Sequence, residues 1–347
     1  MQNTLRGVAI AIGVLLCAVA TGCTELGPAT ASRNPSPTAT SPGAQGVCRL
    51  PVSIGSVSGG WIDYPSGSFV EDPTAGGYLD SGVLKTKAQP VLVSASGTYE
   101  FAYSRTLKRW LPSPFPLVSP DGTAYLWTEY ETDKPVTLST KRGNVNWELT
   151  RVHLTQARSG ADRVLFQDSL YQAISLTATA AYVTEDVYGG LARLDLATGQ
   201  LHKLVEGKFQ WVVSGAYAWA TDSGDRQQYD TLYRADLATG TIQPFFSQPG
   251  ALAVMINGMD ATGSLLVEVQ RQPAGVFTVD HWLVSAQGSR LLTNNPPTLA
   301  NVWIVDSEGV WLAGAERGVY VWKGDQVTPV PGVSSSRPMV PAGVCAP

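Results

Sequence analysis

The sequence predicts an all-β chain folded as a β-propeller of four-stranded antiparallel blades, six in number, with seven as the alternative. Three observations lead there. The first is composition. The 347 residues include 35 Gly and 23 Pro, with 44% hydrophobic and only 15% charged. That is too rich in turn formers for a helical bundle, and too poor in charge for a coiled coil or a highly charged disordered chain. The second is an internal repeat. LARLDLATGQL (191–201) returns as LYRADLATGTI (232–242), and the shared turns open at Asp195 and Asp236, 41 residues apart. The third is a polar Gly turn followed by a strand of small and aromatic residues. It recurs as VSPDGTAYLW (118–127), MDATGSLLVEV (259–269) and IVDSEGVWLAG (304–314), with a looser copy in VVSGAYAWATD (212–222).

The two motifs alternate along the chain. HWLVSAQGSRLL (281–292) and VYVWKGDQVTPV (319–330) are weaker copies of the first. Each unit therefore reads strand, turn, strand, loop, strand, turn, strand. A period near 40 with four strands is the propeller signature. One such sheet has two apolar faces and hides neither alone, so blades must stack around an axis. The units fall at 52–112, 114–168, 170–207, 208–248, 250–297 and 298–332. In the long first unit, GWIDYP, GSFVEDP, TYEFAYS and RWLPS are expected to supply the strands. Residues 161–188 contain neither Gly nor Pro, and FQDSLYQAI fits a helix. The Thr-Ala alternation of Ser175 to Tyr182 favours strand, with a helical insertion between the second and third blades as the alternative.

The N-terminus carries the most specific signal. Arg6 is the sole charge before Glu25, and Val8 to Ala20 is an apolar run of 13 residues. Spanning a bilayer takes about 20 residues, so this is the apolar region of a secretory signal. Ala20-Thr21-Gly22-Cys23 follows directly and resembles a bacterial lipoprotein signal, except that Ala20 stands where the family prefers Leu. The resemblance implies cleavage before Cys23 and lipid attachment to it. Residues 1–22 are thus expected to be a signal peptide. Residues 23–46, rich in Pro, Ser and Thr, read as a flexible tether, and 47–347 as the propeller. Of four cysteines, Cys17 leaves with the signal and Cys23 takes the lipid. The remaining pair, Cys48 and Cys345, brackets the folded region, and an even remainder in an exported chain reads as a disulfide. It would fasten the seam of the ring.

The VSPDG turn at Val118 to Gly122 looks like turns of the WD40-like, TolB-type propellers of bacterial envelopes. Residues 304–322, IVDSEGVWLAGAERGVYVW, are similar to the repeats of two-component-regulator propellers. With the signal and the tether, the whole resembles a bacterial envelope propeller lipoprotein, a grouping mostly of unassigned function. The resemblance implies a place in the cell envelope, at the outer face of the cytoplasmic membrane or in the periplasm. These motifs are structural turns and speak of fold, not activity.

Chemistry is sparsely signalled. Lys and Arg number 24 against 28 Asp and Glu, for a net charge of −4 without a basic block, so nucleic acid is not an expected partner. His153, His202 and His281 are far apart and show no paired ligand spacing, so neither metal nor cofactor is expected. Thr221 to Asp230, with Asp222, Asp225 and Asp230, departs from EF-hand spacing and reads as a polar loop. No Gly-x-Ser-x-Gly elbow, Ser-x-x-Lys, P-loop or dinucleotide fingerprint occurs. Glycoside hydrolysis needs two carboxylates within about 5–10 Å. Residues two apart on a strand share a face, so of the acidic pairs Glu129–Glu131 and Asp306–Glu308 could converge, whereas Glu185–Asp186 could not. Asp222-Ser223-Gly224 has sialidase Asp-box spacing but lacks the following Trp. Most of the ten Trp are expected in blade cores, while Trp61 and Trp110, at loop ends, could line a binding face. The expected function is a membrane-anchored extracytoplasmic binding or scaffolding propeller without catalysis. It would reach the membrane through its N-terminal lipid and bind a protein, peptide or glycan. The alternatives are a carbohydrate-active hydrolase or lyase, and a sensor-type propeller working with a membrane partner.

Overall fold

The computed structural model describes residues 48–54, 58–75, 101–140, 143–168, 171–185, 189–221, 229–292, 296–314, 318–333 and 339–346. The expected signal peptide (1–22), lipid-bearing Cys23 and tether (23–46) lie outside the described residues. The described strands form six blades around a ring. Blade 1 is built from both chain ends: β1 (Cys48–Ile54), β2 (Ser58–Tyr64) and β3 (Ser68–Glu71), with β25 (Met339–Pro341) as the inner strand. Blade 2 holds β6 (Ala124–Thr140), β7 (Gly143–Gln156) and β8 (Asp162–Asp168), with an inner bridge between Val118 and Tyr125. Blade 3 is β9 (Tyr171–Leu176), β10 (Ala180–Glu185), β11 (Gly190–Asp195) and β12 (Leu201–Glu206). Blade 4 is β13 (Phe209–Ser214), β14 (Tyr217–Thr221), β15 (Thr231–Asp236) and β16 (Ile242–Ser247). Blade 5 is β17 (Ala253–Met259), β18 (Leu265–Arg271), β19 (Thr278–Ser285) and β20 (Gly288–Leu291). Blade 6 is β21 (Leu299–Asp306), β22 (Gly309–Gly314), β23 (Val319–Lys323) and β24 (Gln326–Pro329). Residues 162–168 and 171–176 are strands, so the Thr-Ala pattern prevailed over the helical alternative.

Burial follows the logic of stacked sheets. In β18 the first five side chains, Leu265 to Val269, are all buried, because each face meets a neighbouring blade. Leu265, Val267 and Val269 pack with Trp219, Leu232 and Phe246 of blade 4. Leu266 packs with Val310, Leu312 and Trp322 of blade 6. Fully burying one such side chain stabilises by roughly 1.5–3 kcal/mol.

One expectation needs correction. TYEFAYS and RWLPS do not complete blade 1. They form a separate hairpin, β4 (Ala102–Ser104) with β5 (Arg109–Leu111), wedged between blades 1 and 2. On one side Phe101, Tyr103 and Trp110 pack with Trp61, Ala75 and Ala342. On the other, Leu107 and Leu111 pack with Tyr125, Trp127 and Ala157 of blade 2. The strand pattern was read correctly. The place in blade 1 was taken instead by β25, whose Met339, Val340 and Pro341 pair with Ile54, Ser53 and Val52.

The ring is fastened where its ends meet. Cys48 and Cys345 are disulfide-bonded with their Cα atoms 5.4 Å apart. Asp306, in the first turn of blade 6, accepts from the Cys345 backbone N–H at 2.7 Å and from Trp311 Nε1 at 2.7 Å. Tyr103 donates its backbone N–H to Ala342 at 2.7 Å, which ties the wedge to the same segment.

The inner-pair and outer-pair turns of blades 2 to 6, with the outer-pair turn of blade 1, fall at one end of the ring, here called the turn end; the remaining connections form the loop end. At the turn end the repeat has a common build. Asp195 Oδ1 accepts from Ala197 N, Thr198 N and Thr198 Oγ1 at 3.0, 2.9 and 2.9 Å. Asp236 Oδ1 accepts from Ala238 N, Thr239 N and Thr239 Oγ1 at 2.9, 2.9 and 3.2 Å. The Gly closing each turn has positive φ and lies against the outer strand of the preceding blade. A Cβ on Gly199 would stand 2.4 Å from the Leu165 carbonyl oxygen, and one on Gly240 would stand 2.7 Å from that of Leu204. Leu165 and Leu204 are the extra residues of β-bulges in β8 and β12. Glycine is required here for its close approach as well as its φ.

Candidate functional site

A cluster of titratable side chains that retains some exposure lies on blade 2, on the face turned to the wedge. It arises from cross-strand register. β6 and β7 pair so that Trp127 is opposite His153 and Glu129 is opposite Arg151. β8 brings Asp162 opposite Thr155. His153, 7% exposed, then sits between two carboxylates, with Nδ1 at 2.7 Å from Asp162 Oδ2 and Nε2 at 3.1 Å from Glu129 Oε2. Arg151 Nη1 donates to the same Glu129 oxygen at 3.1 Å. Trp127 stacks on the imidazole at 3.9 Å between ring centres, and its Nε1 donates to Thr155 Oγ1 at 3.0 Å. Flanked on both nitrogens, His153 is held in a fixed plane. Of the residues in this cluster, sequence reading singled out Glu129 for chemistry. His153 was set aside because no paired ligand spacing marked it, and the register of two long strands brings its partners to it.

The other sequence-derived candidates are placed as follows. The side chain of Glu131 lies outside the described residues. Trp110 is 1% exposed and Trp61 half-buried; their indole N–H groups both donate to Asp72 Oδ2, at 2.9 and 3.3 Å. Trp110 is therefore a core side chain rather than part of an open face, because the wedge turns it against Ala75, Trp61 and Ala342, and Asp72 gives its N–H a partner. Tyr103 completes the cluster, 4.5 Å from Trp61 and 5.3 Å from Trp110 between ring centres. Burial pushes the Asp72 carboxyl up, but hydrogen bonds from Thr74, Trp110 and Trp61 outweigh it and hold the group below the usual carboxylate range. Burial and the Asp72 charge push the Tyr103 phenol up.

Asp306 and Glu308 do not converge. Asp306 Oδ1 accepts from the Glu308 backbone N–H at 2.8 Å while its other oxygen holds the seam. Glu308 turns away to Lys323 at 3.1 Å. Their spacing of two belongs to a turn, not to one strand face. Asp186, Asp222 and Asp225 lie outside the described residues. Glu185, at the loop end of β10, is 6% exposed and lies 3.5 Å from the Tyr171 hydroxyl and 3.9 Å from Lys203 Nζ. Burial pushes its carboxyl up against the opposing pull of Lys203. Burial and the Glu185 charge push the Tyr171 phenol up to about 12.

A second polar cluster lies wholly inside blade 5. Glu268, His281 and Asn257 are each 0% exposed. Glu268 accepts from Asn257 Nδ2 at 2.8 Å and Gln270 Nε2 at 2.7 Å, with His281 Nε2 at 3.5 Å. Burial raises the Glu268 carboxyl, and hydrogen bonds from His281, Gln270 and Asn257 outweigh it, so the net displacement is downward. Buried acids survive in this way only when their lone pairs are engaged. Neither buried His281 nor exposed His202, on β12, joins His153, so no three-histidine site forms across the ring. Among the described residues no group of three or more His, Cys, Asp or Glu is arranged to hold a metal ion.

No family model matches the chain, and no curated protein matches it. Solved structures do. A prolyl endopeptidase aligns with 82% of this chain and 50% of its own, at 10% identity and a TM-score of 0.50. TolB from Acinetobacter baumannii aligns with 81% of this chain and 76% of its own, at 12% identity and a TM-score of 0.40. An oligogalacturonate lyase in complex with manganese aligns with 62% of this chain, at 14% identity and a TM-score of 0.40; the chain spans 64% of that protein's length. The strand topology is that of a six-bladed propeller. At such identities a likeness speaks of fold alone.

Proposed function

We propose that the protein is a lipid-anchored, extracytoplasmic binding propeller that does not catalyse a reaction. The observation that carries this reading is the direction of the carboxylates. Asp306 is spent on the seam, Glu308 on Lys323, and Glu129 on Arg151 and His153. In this reading the loop end is the recognition surface. Its β18–β19 connection presents Val276 and Phe277 at 63% and 55% exposure. Cys48 lies at the turn end, where a tether from Cys23 would join the ring.

The test incubates the purified full chain with a panel of polysaccharides, cell-wall fragments and peptides. Both retained ligand and released product are followed by mass spectrometry. The reading expects retention without turnover, together with an intact mass that begins at a diacylated Cys23. One observation favours a second reading as a carbohydrate-active hydrolase or lyase: the Glu129–His153–Asp162 chain pairs a histidine with two carboxylates beside a stacked Trp. Turnover that disappears in both Glu129→Gln and His153→Asn would replace the first reading with the second.

A further inference from the structure

Of the six junctions between neighbouring blades, four are closed at the turn end in one of two ways, the wedge fills the one between blades 1 and 2, and one has none of these. Between blades 2 and 3, and between blades 3 and 4, the Gly of an Asp-Leu-Ala-Thr-Gly turn sits on the bulge carbonyl of the preceding outer strand, at Leu165 and Leu204. Between blades 6 and 1, Gly67 approaches the Pro331 carbonyl in the same manner. Between blades 5 and 6 an ion pair, Arg290 with Asp325, bridges the outer strand to the next turn. Between blades 4 and 5 the outer strand β16 has the matching bulge, at Phe245. The turn that should cover it is short, with Ser285 paired directly to Gly288. A Cβ on Gly288 would meet nothing within 4 Å. What remains is a groove of about 360 Å³ lined by Arg234, Pro244, Phe245 and the turn Ser285–Ser289.

The groove holds a prepared cation. The Arg234 guanidinium lies 4.8 Å from the ring centre of Tyr217 and 5.0 Å from that of Phe245. Clamped between two aromatic faces, it has already lost much of its rotamer freedom. Asp236 is the acidic neighbour in sequence, but its accepting oxygen Oδ1 is engaged by the Ala238 and Thr239 backbone and the Thr239 hydroxyl. Among the described residues no carboxylate forms an ion pair with Arg234. A guanidinium fork so placed suits a planar carboxylate. Pro244 and Phe245 offer an apolar floor. Gly288 to Leu291 are exposed on the outermost strand, so their free backbone edge can pair with an extended chain.

We propose that this groove binds a carboxylate-bearing peptide segment of a partner protein. Its Asp or Glu rests on Arg234, and its chain runs along β20. The equivalent space at two other junctions is filled by a peptide turn that opens with an Asp, so the shape of the space is that of a peptide. The site does not depend on which residues act at the loop end.

The test pans a phage-displayed library of random linear dodecapeptides against the full chain in detergent, and against Arg234→Ala and Arg234→Lys. Selected peptides are then measured as fluorescent conjugates by anisotropy. The expected outcome is enrichment of sequences with an Asp or Glu beside an apolar residue. Their affinity should fall at least tenfold with Arg234→Ala, and by a similar factor when the peptide acid becomes its amide. Arg234→Lys keeps the charge without the fork and should fall between. Val70→Ser, at an exposed side chain on β3 of blade 1, should leave binding unchanged. Circular dichroism melting of each variant excludes unfolding as the cause of a loss. No enrichment, enrichment without acidic residues, or acidic peptides that bind Arg234→Ala equally well would each overturn the proposal. So would binding of alginate fragments that depends on Arg234 where no peptide binds.

Discussion

The two ends of the ring are made differently, and the difference separates what holds the fold from what is free to act. At the turn end each connection closes on itself. Carboxylates at Asp121, Asp195, Asp236 and Asp260 accept from their own turns, Gly199 and Gly240 dock on the neighbouring blade, and Asp306 with the disulfide joins the chain ends. At the loop end the β18–β19 connection exposes Val276 and Phe277, and Glu185 is buried beside the Tyr171 hydroxyl. Apart from the groove at Arg234, the turn end satisfies its polar groups internally. The other leaves apolar surface and a perturbed acid, the features that binding surfaces retain.

The comparison can be broken first at the seam. Cys48→Ala with Cys345→Ala opens a loop set by a sequence separation of 297. On chain-entropy grounds this should cost up to about 5 kcal/mol, read as a shift in the urea midpoint. An unchanged midpoint would mean that β25 and the wedge hold the ring unaided. Next comes Asp306→Ala, which leaves Trp311 Nε1 and the Cys345 N–H without their charged acceptor. Two such hydrogen bonds are worth about 3 kcal/mol or more together, and the loss should appear in thermal melts without any change at the loop end.

The third comparison isolates the glycine docking. Gly240 and Gly160 share φ +71°, but a Cβ on Gly160 would meet nothing within 4 Å. Gly160→Ala should therefore cost only the backbone penalty of about 1–2 kcal/mol. Gly240→Ala should cost a further 1–3 kcal/mol or so, because the Leu204 carbonyl must move. Equal losses would show that the junction yields freely.

The smallest effect is on pH. Hydrogen bonds from the Thr198 and Thr239 turns hold the Asp195 and Asp236 carboxyls low. Their stabilisation is present above the ordinary carboxylate value and is lost as pH falls through the lowered one. Glu185 has the opposite sign. Burial raises its folded value, so its contribution is fully present below the ordinary value and is lost as pH rises through the raised one. Replacing Asp195 and Asp236 by Asn should flatten the acid limb of the stability profile. Glu185→Gln should instead stabilise towards neutral pH, provided its amide finds the Tyr171 hydroxyl.

Legibility in the sequence tracks the same division. The Asp-Leu-Ala-Thr-Gly turns, the six units and the Cys48–Cys345 pair were all readable, because local turn chemistry and cysteine count carry them. The wedge was misplaced, since β4 and β5 have the alternation of any strand and only the return of β25 excludes them from blade 1. The burial of Trp110 is not legible locally, because its partners Asp72, Trp61 and Ala342 are distant in sequence. The grouping of His153 with Glu129 and Asp162 depends on register along β6 and β7, and no short motif encodes that. The groove at Arg234 leaves a trace, since the fifth unit reads VSAQGS where the third and fourth read DLATG. Its meaning emerges only once the bulge at Phe245 is seen uncovered.

The most direct test of the ring itself is a peptide map of the native protein, digested without reduction after free thiols have been blocked. One cross-linked species joining the peptide of Cys48 to that of Cys345 is the expected result. Quantitative blocking of both thiols, or linkage of either to another cysteine, would contradict the closed ring and everything placed upon it.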